Sequence, residues 1–326
     1  MDSFLAVAQK VGLLFILIAL GFVCQKIKFL TDEANQCMAN IVMYFVTPCV
    51  IINAFGASVY TEGGLLGILR NIAVVAIASA VFHIVMILAV YPIFRSGNEN
   101  RRRVMRFAAV FSNAGFIALP LAQALIDNES CHEGALYAAV FLAVFNIVLW
   151  TWGLIDMSGE KKAMNRKKIL FNPGIIGVAV GLLIFTSPLY LSFGDTAGIR
   201  FPSLISDALS AVSALNLPLP MFMVGYYLGK ADLISAFRDG WSYVCMAVRL
   251  IVFPMALLGI LYLCGVRGNV LTVLVIGASA PVGATTTIFS AKFNRDTDLS
   301  VRLVSLSTIL SMLTMPIIVG LTQTIA

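Results

Sequence analysis

The sequence predicts an all-α membrane protein with ten transmembrane helices in two inverted five-helix repeats, the fourth and ninth helices being broken. Three observations predict it. The chain reads as ten apolar stretches of spanning length divided by mostly short loops. Its basic residues crowd into alternate loops. Its two halves carry prolines and polar interruptions at matching places.

Of 326 residues, 60% are hydrophobic and 12% charged, against roughly 25% charged in an ordinary soluble domain. Such a chain has too little polar material to coat a water-facing surface. The apolar stretches fall at about 4–25, 36–56, 66–94, 104–126 and 134–156, then at 173–190, 203–229, 238–264, 268–291 and 298–323. Each is near the ~20 residues that a membrane helix needs. The implied organisation is a first repeat over 1–156, a basic loop over 157–172 and a second repeat over 173–326. Met1-Asp2-Ser3 lacks the basic start of a signal peptide, so the first stretch is expected to be a retained span.

Charge orients the bundle. Sixteen Lys and Arg fall in one set of alternate loops, including Arg101–Arg103 and Lys161–Lys168, against only Arg70, Arg200 and Arg267 in the other set. Cytoplasmic loops are the basic ones. The long loop is therefore expected in the cytoplasm and both termini outside it, in a plasma membrane. The net charge of +6 then reads as topology, which excludes nucleic acid as a partner.

Acidic residues keep to loops and span ends, with Asp207 the deepest. A buried carboxylate relay or an intramembrane aspartyl protease would need one at mid-membrane. Cys24, Cys37, Cys49, Cys131, Cys245 and Cys264 form no CxxC pair and read mostly as buried thiols. His83 and His132, the only histidines, read as packing or surface, so no metal and no cofactor is expected. No HExxH or GxSxG motif suggests an enzyme.

The repeat is legible in the interruptions. The second span of each half carries proline, at Thr47-Pro48 and at Leu217-Pro218-Leu219-Pro220. The fourth span of each half is interrupted, by "SNAGFIALP" over Ser112–Pro120 and by "ASAPVGATTT" over Ala278–Thr287. Five spans per half make the second half enter from the opposite side. Inverted repeats with discontinuous helices at matching places are the mark of secondary transporters, with the site at the repeat interface. Proline removes a backbone donor, and unpaired backbone at membrane depth survives only inside protein or facing a wet cavity. Half-helix N-termini favour anions, and Asn113 adds a neutral donor and acceptor. The plainer alternative is a kinked helix whose Asn bonds a neighbour. The break itself is expected to carry no full positive charge. Arg249 and Arg302 lie within spans, each either assisting an anion or structurally placed. Asn53, Asn146 and Asn216 read as polar contacts between helices.

Several motifs, taken in order, resemble the auxin efflux carrier family of bacteria and plants. "NAGFIALPL" (Asn113–Leu121) looks like its Asn-x-x-x-x-(Gly/Ala)-x-Pro signature. Asn172-Pro173, "SDA" at Ser206–Ala208, "MAVRLIVFP" (Met246–Pro254) and "APVGATTTIFSAKF" (Ala280–Phe293) are similar to its later segments. The resemblance implies that spans four and nine cross. It implies a scaffold of spans one, two, six and seven, and a transport domain of spans three to five and eight to ten that moves as an elevator. It implies organic anions, such as auxin or dicarboxylates, as substrates, with Asn113 on the carboxylate. Plant members have Pro where this chain has Ser112 and Gln where it has Val282, and the long central loop of some plant members is absent here.

The site is thus expected from Ser112, Asn113, Gly115 and Pro120 at one break and Pro281, Val282, Gly283 and Thr285 at the other. Arg249 is a further candidate, and Thr47, Pro48 and Pro218 line the scaffold side. The expected partners are a small organic anion and the lipid bilayer, with a homodimer left open; the alternative function is an anion channel. The orientation is testable. A reporter fused after Ala326 should report the non-cytoplasmic side, and cysteines placed at Asn98 and Ser158 should resist impermeant reagents in intact cells. Labelling of both from outside reverses the orientation.

Overall fold

The computed structural model describes residues 2–57, 64–127, 133–160, 173–186, 203–230 and 239–326. Among these the chain is helical throughout, apart from one isolated backbone bridge between Ser112 and Val282. The expected features at Cys131, His132, Lys161–Lys168, Asn172, 187–190 and Arg200 lie outside the described residues.

In chain order the helices are α1 (Asp2–Lys26), α2 (Asp32–Ile41), α3 (Thr47–Ala57), α4 (Gly64–Ile93), α5 (Glu99–Val110), α6 (Leu119–Ile126), α7 (Glu133–Val148) and α8 (Leu154–Ser158). There follow α9 (Pro173–Phe185), α10 (Ser203–Ala214), α11 (Pro218–Lys230), α12 (Gly240–Ala247), α13 (Phe253–Leu263), α14 (Gly268–Ser279), α15 (Thr285–Lys292) and α16 (Thr297–Ile325). Wide π-helical turns at Val42–Val46, Leu149–Gly153 and Val248–Val252 join α2 to α3, α7 to α8 and α12 to α13, and another at Ala114–Ala118 leads into α6.

Three of these four turns end two residues before a proline, at Pro48, Pro120 and Pro254. Proline has no N–H and its ring strikes the carbonyl four residues back. Widening the preceding turn by one residue moves that carbonyl away and keeps the helix going. Pro218 is handled differently. It starts α11 after a turn over 215–217, a position where the missing N–H is not needed.

By length and composition, six stretches among the described residues can cross a membrane: Asp32–Phe55, Leu66–Ile93, Glu133–Ser158, Asp207–Lys230, Gly240–Leu263 and Thr297–Ile325. Four shorter apolar helices accompany them, Gly12–Lys26, Ala114–Ile126, Pro173–Leu183 and Gly268–Ser279. The outer faces are apolar, with Ile77, Ile84, Leu88, Ile260 and Leu263 all exposed. Such a surface suits lipid and would aggregate in water. The interior is centred on α14, whose residues Val270 to Ser279 are all buried, and on α7 and the end of α5. A helix that is apolar all round belongs in such a position.

Glycine sets the closest helix contacts. α1 runs along α11, and a Cβ at Gly225 would lie 2.0 Å from the Ile18 carbonyl oxygen; one at Gly21 would lie 2.3 Å from that of Phe222. Lipid gives helices no hydrophobic reason to associate, so close backbone packing through small residues supplies the attraction. Gly177 and Gly181 of α9 leave room for the side chains of Ile51 and Phe55 of α3.

One end of the fold is tied by charge. Arg106 pairs with Asp156 at 2.8 Å, Arg101 with Asp239 at 2.5 Å, and Arg295 donates to the carbonyls of Met157 and Ser158. Arg103 reaches Glu99 and the Asp156 carbonyl. These arginines therefore fasten α5 to α8, α12 and the start of α16, beyond the topological role read from the sequence. Across α2 and α11, Asp32 accepts from Tyr226 and Lys230.

The cysteines in the described residues are free thiols, with Cys245 buried but Cys37 exposed on α2 and Cys264 exposed just after α13. His83 is buried, its Nδ1 2.7 Å from the Ser79 carbonyl and its ring among Phe82, Phe141 and Phe145. It is a packing residue.

The glycine contacts give a stability test. Gly225→Ala should lower stability by about 1–3 kcal/mol, the scale of overpacking a tight interior. Gly259→Ala, where no atom lies within 4 Å of the new Cβ, should leave it unchanged. Thermal unfolding in detergent measures both; equal midpoints would refute the close α1–α11 contact.

Candidate functional site

The two interruptions read from the sequence meet each other. Helix α5 ends at Val110, and Phe111 is extended. Helix α14 ends at Ser279, and Ala280 is extended. The two freed backbones then pair in antiparallel fashion. Asn113 N–H donates to the Pro281 carbonyl at 2.7 Å, and Gly283 N–H donates to the Phe111 carbonyl at 3.0 Å. Val282 N–H donates to Ser307 Oγ of α16 at 3.0 Å. Each break thus satisfies groups that the other leaves bare, as backbone in an apolar interior must be.

Beyond the pairing the chain turns helical again. Asn113 is the residue before the Ala114–Ala118 turn, and its carbonyl accepts from Ile117 and Ala118. Ala284 precedes α15. The first amides of each new helix have no partner inside that helix.

Among the described residues the Asn113 carboxamide makes no hydrogen bond, although the residue is only 6% exposed. It lines a crevice of about 10 Å³ with Val224, Tyr227 and Leu228 of α11, Ala284, and Val304, Ser305 and Thr308 of α16. That is room for about one water. Near it the hydroxyls of Thr285 and Thr286 are buried without partners. The lining offers neutral amide and hydroxyl groups and no acid.

The expected site residues divide. Ser112, Asn113, Pro281, Val282 and Gly283 all lie buried at the paired break, and Thr285 stands half-buried just beyond it. Gly115 and Pro120 follow in the turn and in α6. Thr47 and Pro48 are half-buried on the side of α3 that meets Gly177, and Pro218 is half-buried at the start of α11; none of the three lines the crevice. Asn216 lies 3.4 Å from Gln123, joining the α10–α11 turn to α6.

One expectation is corrected. A full positive charge does stand at the break. Arg249 is buried, and its guanidinium donates to the Ala280 carbonyl at 3.1 Å and lies 3.5 Å from that of Gly277. The contact spans 31 positions of sequence, so no local pattern foretold it. Arg302, in contrast, is half-exposed and donates to Asp298 of its own helix. Tyr227, Ser305 and Thr308 were also not legible as site residues. Ser305 and Thr308 sit three apart in an apolar stretch, a spacing that gives one helix face.

The comparisons with known proteins agree with a transporter. The family model described as "Membrane transport protein" matches residues 6–168 and 162–319, nearly the whole chain. The chain belongs to this membrane transport protein family. An uncharacterized transporter of Methanothermobacter thermautotrophicus is 23% identical over 318 residues, 96% of this chain and 98% of that protein. Auxin efflux carrier component 1 of Arabidopsis thaliana is 30% identical over 101 residues, 31% of this chain and 16% of that protein. A probable auxin efflux carrier component 1b of rice, Oryza sativa subsp. japonica, is 28% identical over 97 residues, 30% of this chain and 18% of that protein. These relatives agree with the resemblance to auxin efflux carriers, and the molecule is a membrane transporter, not an enzyme.

In this transporter the close approach falls on Gly283, not on Gly115. A Cβ at Gly283 would lie 2.8 Å from the Ser112 carbonyl oxygen, whereas one at Gly115 meets only Leu142, at 3.8 Å. Gly283→Ala should therefore cost about 1–3 kcal/mol of stability and loosen the pairing. Gly115→Ala should be neutral or slightly stabilising. Thermal unfolding of the two variants checks this, and the reverse order would contradict the pairing.

Proposed function

We propose that this protein carries small organic anions with a carboxylate group, by secondary transport. The supporting observation is the Asn113 carboxamide, unpartnered on a crevice at the point where two helix breaks pair. The proposed architecture has ten spans in two inverted repeats, with the broken fourth and ninth spans crossing at the paired backbones. Both termini lie outside a plasma membrane. Spans three to five and eight to ten move as one body, elevator-fashion, against a scaffold of spans one, two, six and seven.

In this reading the anion is held by Asn113, by the first amides of the Ala114–Ala118 turn, and by the amide and hydroxyl of Thr285. Ser112, Pro120, Pro281, Val282 and Gly283 keep the two breaks open and aligned. Helix N-termini suit a carboxylate through their dipoles and bare N–H groups. The crevice has room for about one water, which favours a carrier with its site closed over a channel with a continuous path. Opening then comes from movement between α11 and the broken helices, which form its walls.

Asn113→Ala should leave the protein folded, because water can enter the gap. It should weaken carboxylate binding by roughly 1–3 kcal/mol, the scale of a hydrogen bond to a charged group. Pro281→Ala should slow transport more than it weakens binding, because the ninth span can then re-form helix. Thermal shift with mono- and dicarboxylates reads binding by mass action, and counterflow in proteoliposomes reads transport. Parental binding and counterflow in Asn113→Ala would move the site elsewhere, and stabilisation by sugars or organic cations alone would overturn the substrate class.

A further inference from the structure

Two arginines are buried in the described core, and only one has a counter-charge. Arg106 is held by Asp156 at 2.8 Å. Arg249 is 1% exposed and forms no ion pair among the described residues. Its donors reach neutral acceptors only, namely the carbonyls of Ala280 and Gly277 and the Met86 sulfur at 3.8 Å. The carbonyls belong to the C-terminal end of α14, whose dipole favours a cation. That offsets part of the cost of burying a charge, but it supplies no opposite charge. An unpaired ionisable group inside a membrane protein marks a substrate path by default.

The break fixes where a counter-charge would sit. Arg249 bonds Ala280, and the carbonyl of the next residue, Pro281, accepts from Asn113 N–H. The guanidinium is thus one residue of backbone from Asn113, on the order of 7 Å away at ordinary chain spacing. It bonds the backbone of the break and is not among the residues that line the crevice.

We infer that Arg249 is the specificity-determining charge of the site: it does not touch the anion, but the bound carboxylate is its counter-ion. This deepens the carboxylate reading and rests on it. The empty site is then positive, and one bound carboxylate makes it neutral. Screened by the intervening carbonyls, the charge selects for an anion without gripping it, as a carrier requires for release. A neutral loaded site also meets a lower electrostatic barrier to movement through lipid than a lone carboxylate would.

A cap on α14 alone would explain the same hydrogen bonds, so the test must read charge. Malonate, malate, succinate and indole-3-acetate are each compared with their neutral amides by thermal shift and calorimetry. The parent should prefer the acid of at least one pair. Arg249→Gln, which keeps a donor for Ala280 and loses the charge, should lower that acid-to-amide ratio roughly tenfold to fiftyfold, as expected for an opposite charge at this distance in a partly screened site. Arg249→Lys, which keeps the charge and loses the planar fork, should hold the ratio within a few-fold of the parent's, and it decides the matter if Arg249→Gln does not fold. A ratio unchanged in Arg249→Gln, or lost in a folded Arg249→Lys, overturns the assignment while leaving the substrate class intact. Failure of the parent to bind any of the four acids overturns the substrate class and this assignment together.

Discussion

The structure depends on one constraint: backbone that is not helical must still be hydrogen-bonded when it lies deep in an apolar fold. Two stretches break that rule locally, and each repairs the other. Phe111 and Asn113 exchange bonds with Gly283 and Pro281 across the Ser112–Val282 bridge. Ser307 supplies the amide of Val282, and Arg249 supplies the Ala280 carbonyl. With those groups satisfied, two new helices can start in the interior, each just after a residue, Asn113 or Ala284, that lines one small crevice.

The surroundings hold this arrangement by economy of side chain. Gly283 lets the breaks approach, and Gly21 and Gly225 let α1 and α11 do the same farther out. The wide turns before Pro48, Pro120 and Pro254 let helices pass their prolines without ending. At one end, arginines of α5 pair with acids at α8 and before α12, and Arg295, before α16, bonds carbonyls of α8. α11, which supplies one wall of the crevice, is tied to α2 and α1, whereas the break residues follow α5 and α14. A site between two differently anchored walls can open by relative movement, and carriage needs such movement.

The chemistry of that space is mild by construction. Asn113, Ser305, Thr308 and Tyr227 offer neutral groups, and Arg249 bonds the backbone of the break without lining the crevice. Neutral groups bind through geometry and release readily. The division of labour between contact and field is consistent with a transporter that must let go of what it holds.

The sequence by itself determined the all-helical membrane class, the positions of the helices and the two interruptions, because lipid forces apolar runs of fixed length and proline and glycine act on their own backbone. It also singled out Asn113 as a candidate, since a polar amide inside an apolar run beside Gly and Pro is locally conspicuous. Only the tertiary structure decided that the interruptions bond to each other, that Gly283 and not Gly115 is the close approach, and that Arg249 reaches the break. It also turned Thr47, Pro48 and Pro218 away from the crevice and brought Tyr227 and Thr308 to it. These outcomes rest on contacts between residues far apart in the chain, including Arg249 and Ala280, 31 positions apart, and Ser112 and Val282. Local propensity acts over a few residues, and nothing in it specifies which distant surface a helix will meet.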